Sequence, residues 1–168
     1  MGNLSNLSFL YLHYNELSGS VPPEIGKMRN LSNLNLQHNK LLGSIPPEIG
    51  KMANLSSLDL QNNELSGSIP QEIGMMGKLV TLLLNNNFSG SIPQEVGMMR
   101  SLTNLDLSSN FLIGPIPSSI GNLSKLQQLY FYFNNLSGSI PEELGLLKHL
   151  WVVQLSSNKL TGPIPDSI

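Results

Sequence analysis

The chain has 168 residues, a formal net charge of −2, only 12% charged residues and no cysteine. So little charge provides neither a basic stripe for nucleic acid nor an acidic tail, and nucleic acid is not an expected partner. The lack of cysteine excludes disulfides and thiolate metal sites.

A pattern of the form LxxLxLxxNxLxGxIPxxIGxLxx occurs seven times along the chain. The repeats are 24 residues long, except for one 23-residue repeat that begins at Leu79. Their opening residues are Leu7, Leu31, Leu55, Leu79, Leu102, Leu126 and Leu150. A constant period in this range is typical of solenoids, in which stacked coils share one core. We predict an α/β leucine-rich-repeat solenoid of about seven coils, forming a single domain over residues 1–168.

The first element of each repeat is predicted to be a short strand. In the second coil, apolar and polar residues alternate through Leu34, Asn35, Leu36 and Gln37. This is the period of a strand with one buried face. Stacked about 4.8 Å apart, such strands form a parallel sheet on the concave face of the solenoid, with the leucines inside.

An asparagine follows each predicted strand, where the chain must turn. Its amide can donate to and accept from backbone groups of the turn. We therefore predict a ladder of stacked asparagines that satisfies buried backbone groups. The predicted ladder consists of Asn15, Asn39, Asn63, Asn87, Asn110, Asn134 and Asn158. In the short repeat Asn87 is followed directly by Phe88, so an irregularity of the ladder is predicted there.

Glycine and proline mark the rest of each repeat. Fourteen of the fifteen glycines fall at two positions of the period, which indicates positive φ or close backbone approach. One recurring proline fixes φ at a constant position and excludes a long helix. The convex face is therefore predicted to consist of short 3₁₀ turns. Methionines at one repeat position are interpreted as core-filling residues: Met28, Met52, Met76 and Met99.

The stretch Leu-Ser-Gly-Ser-Ile-Pro at residues 65–70 closely resembles the plant-specific class of leucine-rich repeats. The whole chain resembles the ectodomain of plant leucine-rich-repeat receptor kinases. This resemblance implies a twisted right-handed superhelix with a second short strand near the Gly-x-Ile-Pro step. It also implies an inner surface that binds a peptide, a small hormone or a co-receptor. The caps, membrane helix and kinase domain of such receptors are not seen, so we expect an interior segment or a truncated product.

Seven Asn-x-Ser sequons favour an extracellular or cell-surface location for the parent protein. They begin at Asn3, Asn6, Asn30, Asn54, Asn87, Asn122 and Asn135. The alternative is that Asn-Leu-Ser is part of the repeat pattern and carries no glycan. No signal peptide and no run of about 18 apolar residues is found, so a membrane segment is not expected in this chain.

Two aromatic clusters occupy solvent-facing strand positions, and we predict that they bind a protein or peptide ligand. The first cluster is Phe9, Tyr11, His13 and Tyr14, and the second is Tyr130, Tyr132 and Phe133. Asp59 and Asp106 lie between the clusters and could pair with a cationic group of the ligand. The alternative is that the aromatic residues merely suit strands or cover the ends of the stack, and that the carboxylates are solvated.

No catalytic residue, metal ligand or cofactor is predicted. His13 and His38 could face one ion, but no third ligand is evident, and no nucleophile stands beside a base. Besides ligand binding, two alternatives stay open. The coils could associate head to tail with another copy, because their register would continue. A third hypothesis is ice or surface binding by rows of serine, such as Ser18, Ser20, Ser66, Ser68, Ser137 and Ser139.

Overall fold

Each repeat forms one coil with two short strands, and in six coils a 3₁₀ helix lies on the side opposite the first strand. The computed structural model describes Leu4 and residues 6–168. The first sequon, at Asn3, lies outside the described residues. The coils are numbered 1 to 7 in chain order from the opening leucines given above.

The first strands of the seven coils form one parallel sheet in sequence order. Its register places equivalent residues side by side, as in Leu10 beside Leu34 and Leu34 beside Leu58. The strands are β1 Phe9–Tyr11, β3 Asn33–Asn35, β5 Ser57–Asp59, β7 Thr81–Leu83, β9 Asn104–Asp106, β11 Gln128–Tyr130 and β13 Val152–Gln154. The central leucine of each inner strand is fully buried, which confirms the predicted alternation.

A second parallel sheet, also of seven strands, follows the asparagine turns. This is the additional short strand that the family resemblance implied. The strands are β2 Ser18–Gly19, β4 Lys40–Gly43, β6 Glu64–Ser68, β8 Asn87–Gly90, β10 Phe111–Gly114, β12 Asn135–Gly138 and β14 Lys159–Leu160. Each of the first six strands contains a glycine with φ between 77° and 82°, and Gly162 follows two residues after β14; other residues adopt this conformation at a cost.

The remaining side of the coils is built from 3₁₀ helices that begin just after a proline. They are η1 Pro23–Lys27, η2 Pro47–Lys51, η3 Gln71–Met75, η4 Gln94–Met98, η5 Ser118–Asn122 and η6 Glu142–Leu146. One apolar core runs between the sheets and these helices through all the inner coils. Met52, Met76 and Met99 are fully buried in it, as expected for core-filling side chains.

Glycines in the 3₁₀ helices let successive coils approach closely. A methyl group added at Gly74 would overlap the backbone carbonyl oxygen of Glu95 in the next coil, whereas one added at Gly77 would meet no atom within 4 Å. We expect Gly74→Ala to lower the free energy of unfolding by about 1–3 kcal/mol, because the coils must move apart. Gly77→Ala, the matched control, should change it by less than about 0.5 kcal/mol. Urea denaturation measures both, and equal losses would contradict the close packing.

The asparagine ladder joins consecutive coils in the turn between the two sheets. Asn39 Nδ2 donates to the carbonyl oxygens of Leu12 in coil 1 (2.9 Å) and Leu36 in its own coil (3.0 Å). Its Oδ1 accepts from the backbone N–H of Leu17 (2.9 Å). The same three kinds of hydrogen bond occur at Asn63, Asn110, Asn134 and Asn158. At the first coil Asn15 donates within its own turn.

In coil 4 the ladder residue is Asn86, and the prediction of Asn87 is wrong. Asn86 Nδ2 donates to the carbonyl oxygen of Leu60 (2.7 Å), and its Oδ1 accepts from the N–H of Leu65 (3.2 Å). Asn87 is exposed and begins β8. In the other six coils the residue before the ladder asparagine has positive φ: Tyr14, His38, Asn62, Ser109, Phe133 and Ser157. The short coil lacks this residue, so its turn is tighter and the preceding asparagine occupies the ladder.

Candidate binding face on the first sheet

The outward side of the first sheet carries the variable side chains of the chain, and we call it the first-sheet face. It comprises the second, third and fifth residues of each coil, together with the seventh and eighth in the following turn. In coil 1 these residues are Ser8, Phe9, Tyr11, His13 and Tyr14. Coil 4 has lost the eighth residue, so Asn85 alone follows its strand before the ladder.

The first aromatic cluster lies on this face and is open to solvent. Phe9, Tyr11 and Tyr14 are 58%, 55% and 69% exposed. Their rings and that of His13 follow one another at centroid distances of 5.7 to 6.3 Å. Tyr14 stacks on His38 of coil 2 at 4.5 Å with an interplanar angle of 14°. The predicted residues of coil 1 therefore form one continuous aromatic surface.

The second cluster occupies the same face in coil 6. Tyr130 and Tyr132 are half-buried and meet edge to face at 6.5 Å, and Tyr132 packs in the same way on Phe133 at 5.5 Å. Phe133 is 61% exposed. Five strand spacings separate coil 1 from coil 6, so the two clusters are about 24 Å apart. The structure places both clusters on one face but not in contact.

One aromatic residue of the face was missed by the sequence analysis. Trp151 is the second residue of coil 7 and is 67% exposed. It directly precedes β13 and so lies outside the alternating strand segment of the repeat. The backbone N–H of Trp151 donates to the carbonyl oxygen of Gln127 in coil 6 (3.0 Å), which joins it to the sheet. It adds an exposed aromatic side chain to the face in coil 7, one coil beyond the second cluster.

Gln61 links the two carboxylates between the clusters. Its backbone N–H donates to Asp59 Oδ1 (3.1 Å), and its side-chain Nε2 donates to Asp106 Oδ2 (3.0 Å). Asp59 is beside Leu83 and Leu83 is beside Asp106 in the sheet register, so the two aspartates stand about 10 Å apart. Gln61 crosses coil 4 where that coil is one residue short. The one-residue deletion in coil 4 therefore lies where the Gln61 side chain passes over Leu83 to reach Asp106.

Asp59 is largely withdrawn from water, at 9% exposure. Burial is the main cause that raises the pKa of its carboxyl group. The N–H of Gln61 and the side chains of His13 and His38 act in the opposite direction, while Asp106 adds to the increase. A raised pKa means that ionised Asp59 destabilises the fold at neutral pH, and this cost appears as pH rises through the carboxyl range. A cation beside it would reverse the effect.

Asp106 and Asn104 place further hydrogen-bond acceptors on this part of the face. Asp106 Oδ1 accepts from the N–H and hydroxyl of Ser108. Asn104 Oδ1, two residues before Asp106 on the same strand and face, is buried without a hydrogen-bond partner in the described part of the chain. Such an acceptor is costly unless a donor reaches it.

Lysine and arginine are absent from the first-sheet face. Its ionisable residues are Asp59, Asp106, His13, His38 and the tyrosines, whereas all nine lysines and arginines of the sequence occupy other positions. Two are in the second sheet and the others are in or after the 3₁₀ helices. The face is therefore acidic at neutral pH, although the whole chain is nearly neutral.

Within Leu4 and residues 6–168 there is no group of three histidine or acidic side chains arranged to hold a metal ion. Across the same residues, no helix has the length and apolar character needed to cross a membrane.

Comparison with protein-family models matches the chain to the leucine rich repeat. One such model covers residues 29–88 and 100–160, and a second covers residues 6–28. A comparison with curated protein sequences gives no match.

Among solved structures, the chain is similar to the plant peptide hormone receptor RGFR1 in complex with RGF2, at 40% identity and a TM-score of 0.97. The alignment covers 99% of this chain and 27% of that receptor. The Arabidopsis receptor kinase HAESA, in complex with the peptide hormone IDA and the co-receptor SERK1, is also 40% identical with a TM-score of 0.95, over 99% of this chain and 28% of that one. A plant ice-binding protein is 32% identical with a TM-score of 0.77, over 98% of this chain and 60% of that one. The chain thus spans less than a third of the length of RGFR1 and of HAESA.

Proposed function

Because the chain belongs to the leucine-rich-repeat family, we propose that its first-sheet face is a non-catalytic surface that binds a protein or peptide ligand. The ligand would contact the aromatic clusters of coils 1 and 6 and pass over coils 2 to 5 between them. In a longer parent protein this segment would act outside the cell, within a receptor-like ectodomain. A co-receptor is a further candidate partner.

One observation carries this proposal: large aromatic side chains are exposed on the same sheet face at two places along the stack. Exposed aromatic residues cost solubility on a bare surface and are enriched where partners bind. The similarity to receptors whose structures contain a peptide hormone gives independent support. The alternative, that these residues only suit strands, does not account for the absence of Phe, Tyr and Trp from the first-sheet face of coils 2 to 5.

We expect the double substitution of Tyr130→Ala and Tyr132→Ala to weaken partner capture at least tenfold. The lost ring contacts are worth about 2 kcal/mol or more at a binding hot spot. The unfolding temperature should change little, because both rings are only half-buried and lie outside the core. Binding is measured by capture of proteins from plant extracellular fluid on the immobilised chain, followed by mass spectrometry. Stability is measured by thermal unfolding of the parent chain and of the double variant.

A matched control is Phe111→Ala, which removes an exposed aromatic ring from the second sheet. Capture should then be unchanged. If the tyrosine variant captures the same proteins at the same level as the parent chain, the first-sheet face is not the binding surface.

A second candidate, ice binding, has one observation in its favour, the similarity to a plant ice-binding protein. On the second sheet, the residue before the positive-φ glycine is Ser or Thr in five of seven coils: Ser18, Ser66, Ser89, Ser137 and Thr161. Leu42 and Ile113 interrupt this column. Thermal hysteresis and inhibition of ice recrystallisation test this candidate, and their absence would remove it.

A further inference from the structure

We propose that the partner of the first-sheet face places a basic side chain, lysine or arginine, between Asp59 and Asp106. This inference rests on the proposed function and adds the chemistry of the ligand to it. The expected occupant is an extended peptide segment with apolar residues on both sides of the basic residue.

The distribution of charged residues on the first-sheet face indicates the sign of the ligand's charge. Positions that face outward from the first sheet carry two aspartates and no lysine or arginine, although the sequence holds nine basic residues elsewhere. A face with one sign of charge attracts the opposite sign and repels its own. An anionic ligand group would meet Asp59 and Asp106 without any lysine or arginine to neutralise it.

The burial of Asp59 argues for a cationic group at this place on the face. A carboxylate withdrawn from water is costly unless it is paired, and none of the described residues forms an ion pair with it; the one ion pair is between Lys40 and Glu16. Only Oδ1 of Asp59 accepts a hydrogen bond from the described residues, namely from the N–H of Gln61. The second carboxylate oxygen remains available to a donor from the ligand.

The neighbouring side chains suit a long basic residue. Leu83 lies between the aspartates and is half-buried, so it offers an apolar contact for the aliphatic stem. The Gln61 amide fixes Asp106 from one side, and the orphan acceptor of Asn104 lies on the same face. An ammonium group has three donors and a guanidinium group five, enough for the free oxygen of Asp59 and for Asp106; Asn104 Oδ1 is itself buried and is not part of the contact.

The distances define the length of the segment. An extended chain advances about 3.4 Å per residue, so about seven residues cover the roughly 24 Å from coil 1 to coil 6. Asp59 and Asp106 lie in coils 3 and 5, near the middle of this span. A segment whose apolar ends contact Tyr11 and Tyr132 would therefore carry its basic residue near its centre.

The experiment is to select peptides that bind the folded chain from a library of random linear peptides. The library peptides are about 12 residues long, which exceeds the length of the segment that would span the two clusters. We expect the enriched peptides to share a central lysine or arginine between apolar residues. Asp59→Asn and Asp106→Asn should each weaken a selected peptide about 10- to 100-fold, as expected for a lost charge-assisted hydrogen bond. The same peptide with norleucine or citrulline at the basic position should lose affinity equally, and its weak binding should no longer depend on either aspartate.

The control is Glu64→Gln, which removes a carboxylate from the second sheet in the same coil as Asp59 and should leave affinity unchanged. Asp59→Asn is expected to fold, because asparagine retains an acceptor for Gln61 and removal of a buried charge does not destabilise the coil. Enriched peptides without a basic residue, or aspartate variants that bind as tightly as the parent, would overturn this inference and leave the proposed function standing. If no peptide is enriched, or if the Tyr130/Tyr132 variant binds the selected peptides fully, both proposals fail.

Discussion

Phe88→Ala is expected to lower the free energy of unfolding by about 3–5 kcal/mol, the largest loss that we predict for a single substitution in this chain. Phe88 is fully buried where the other coils have leucine, as at Leu65 and Leu112. Coils stack on both sides of it, so the structure has little freedom to fill the cavity. Chemical denaturation followed by circular dichroism measures the effect.

Two variants separate this packing effect from general sensitivity to substitution. Phe88→Leu introduces the usual residue of the repeat and should cost less than about 1.5 kcal/mol. Phe111→Ala removes a ring of the same size from the next strand of the second sheet, where it is 57% exposed, and should cost less than about 1 kcal/mol. A loss at Phe111 as large as that at Phe88 would contradict the assignment of the core.

Asn86→Ala should cost about 3 kcal/mol, whereas Asn87→Ala should change stability by less than about 0.5 kcal/mol. The Asn86 amide satisfies the carbonyl oxygen of Leu60 and the N–H of Leu65, and both of these hydrogen bonds are buried. Alanine leaves the two backbone groups without partners at about 1–3 kcal/mol each. Asn87 is exposed at the start of its strand.

The two neighbouring asparagines make this a direct test of the short coil. Thermal and urea unfolding of the two variants should differ clearly, although the substitutions are chemically identical. If Asn87→Ala were the more destabilising change, the ladder would run through the position indicated by the repeat pattern, and the turn described for coil 4 would be incorrect.

The repetitive parts of the fold could be predicted because one signal recurs in every coil. The leucines of β3 and β5 and the proline before each 3₁₀ helix obey a constant period, so an error in one repeat is corrected by the others. The family resemblance supplied the second sheet. The strands of this sheet are two to five residues long and their alternation is too brief to be distinctive.

The short coil could not be resolved in the same way. This coil has three consecutive asparagines, Asn85, Asn86 and Asn87, and the sequence does not distinguish which of them occupies the ladder position. The outcome depends on backbone conformation, since the deleted residue is the one with positive φ.

Some features of the candidate binding face also could not be predicted from the sequence. The alternation of the strands predicts that Asp59 and Asp106 face outward, but Asp59 is nearly as buried as the core. The bridge from Gln61 to Asp106 connects residues 45 positions apart and depends on one side-chain conformation. Such contacts carry no periodic signature in the sequence.

Because each coil of the first sheet pairs only with the coils directly above and below it, separations along the stack are whole multiples of one strand spacing, about 4.8 Å. The distance between two sites on the sheet can therefore change only in steps of one coil. Duplicating residues 31–54, which form one coil, would move Tyr11 one strand spacing further from Tyr132. The core contacts would stay of the same kind, because the copied coil would pack between coils of the same shape. Ligand length could then change through gain or loss of entire repeats, independently of the side chains that determine ligand chemistry.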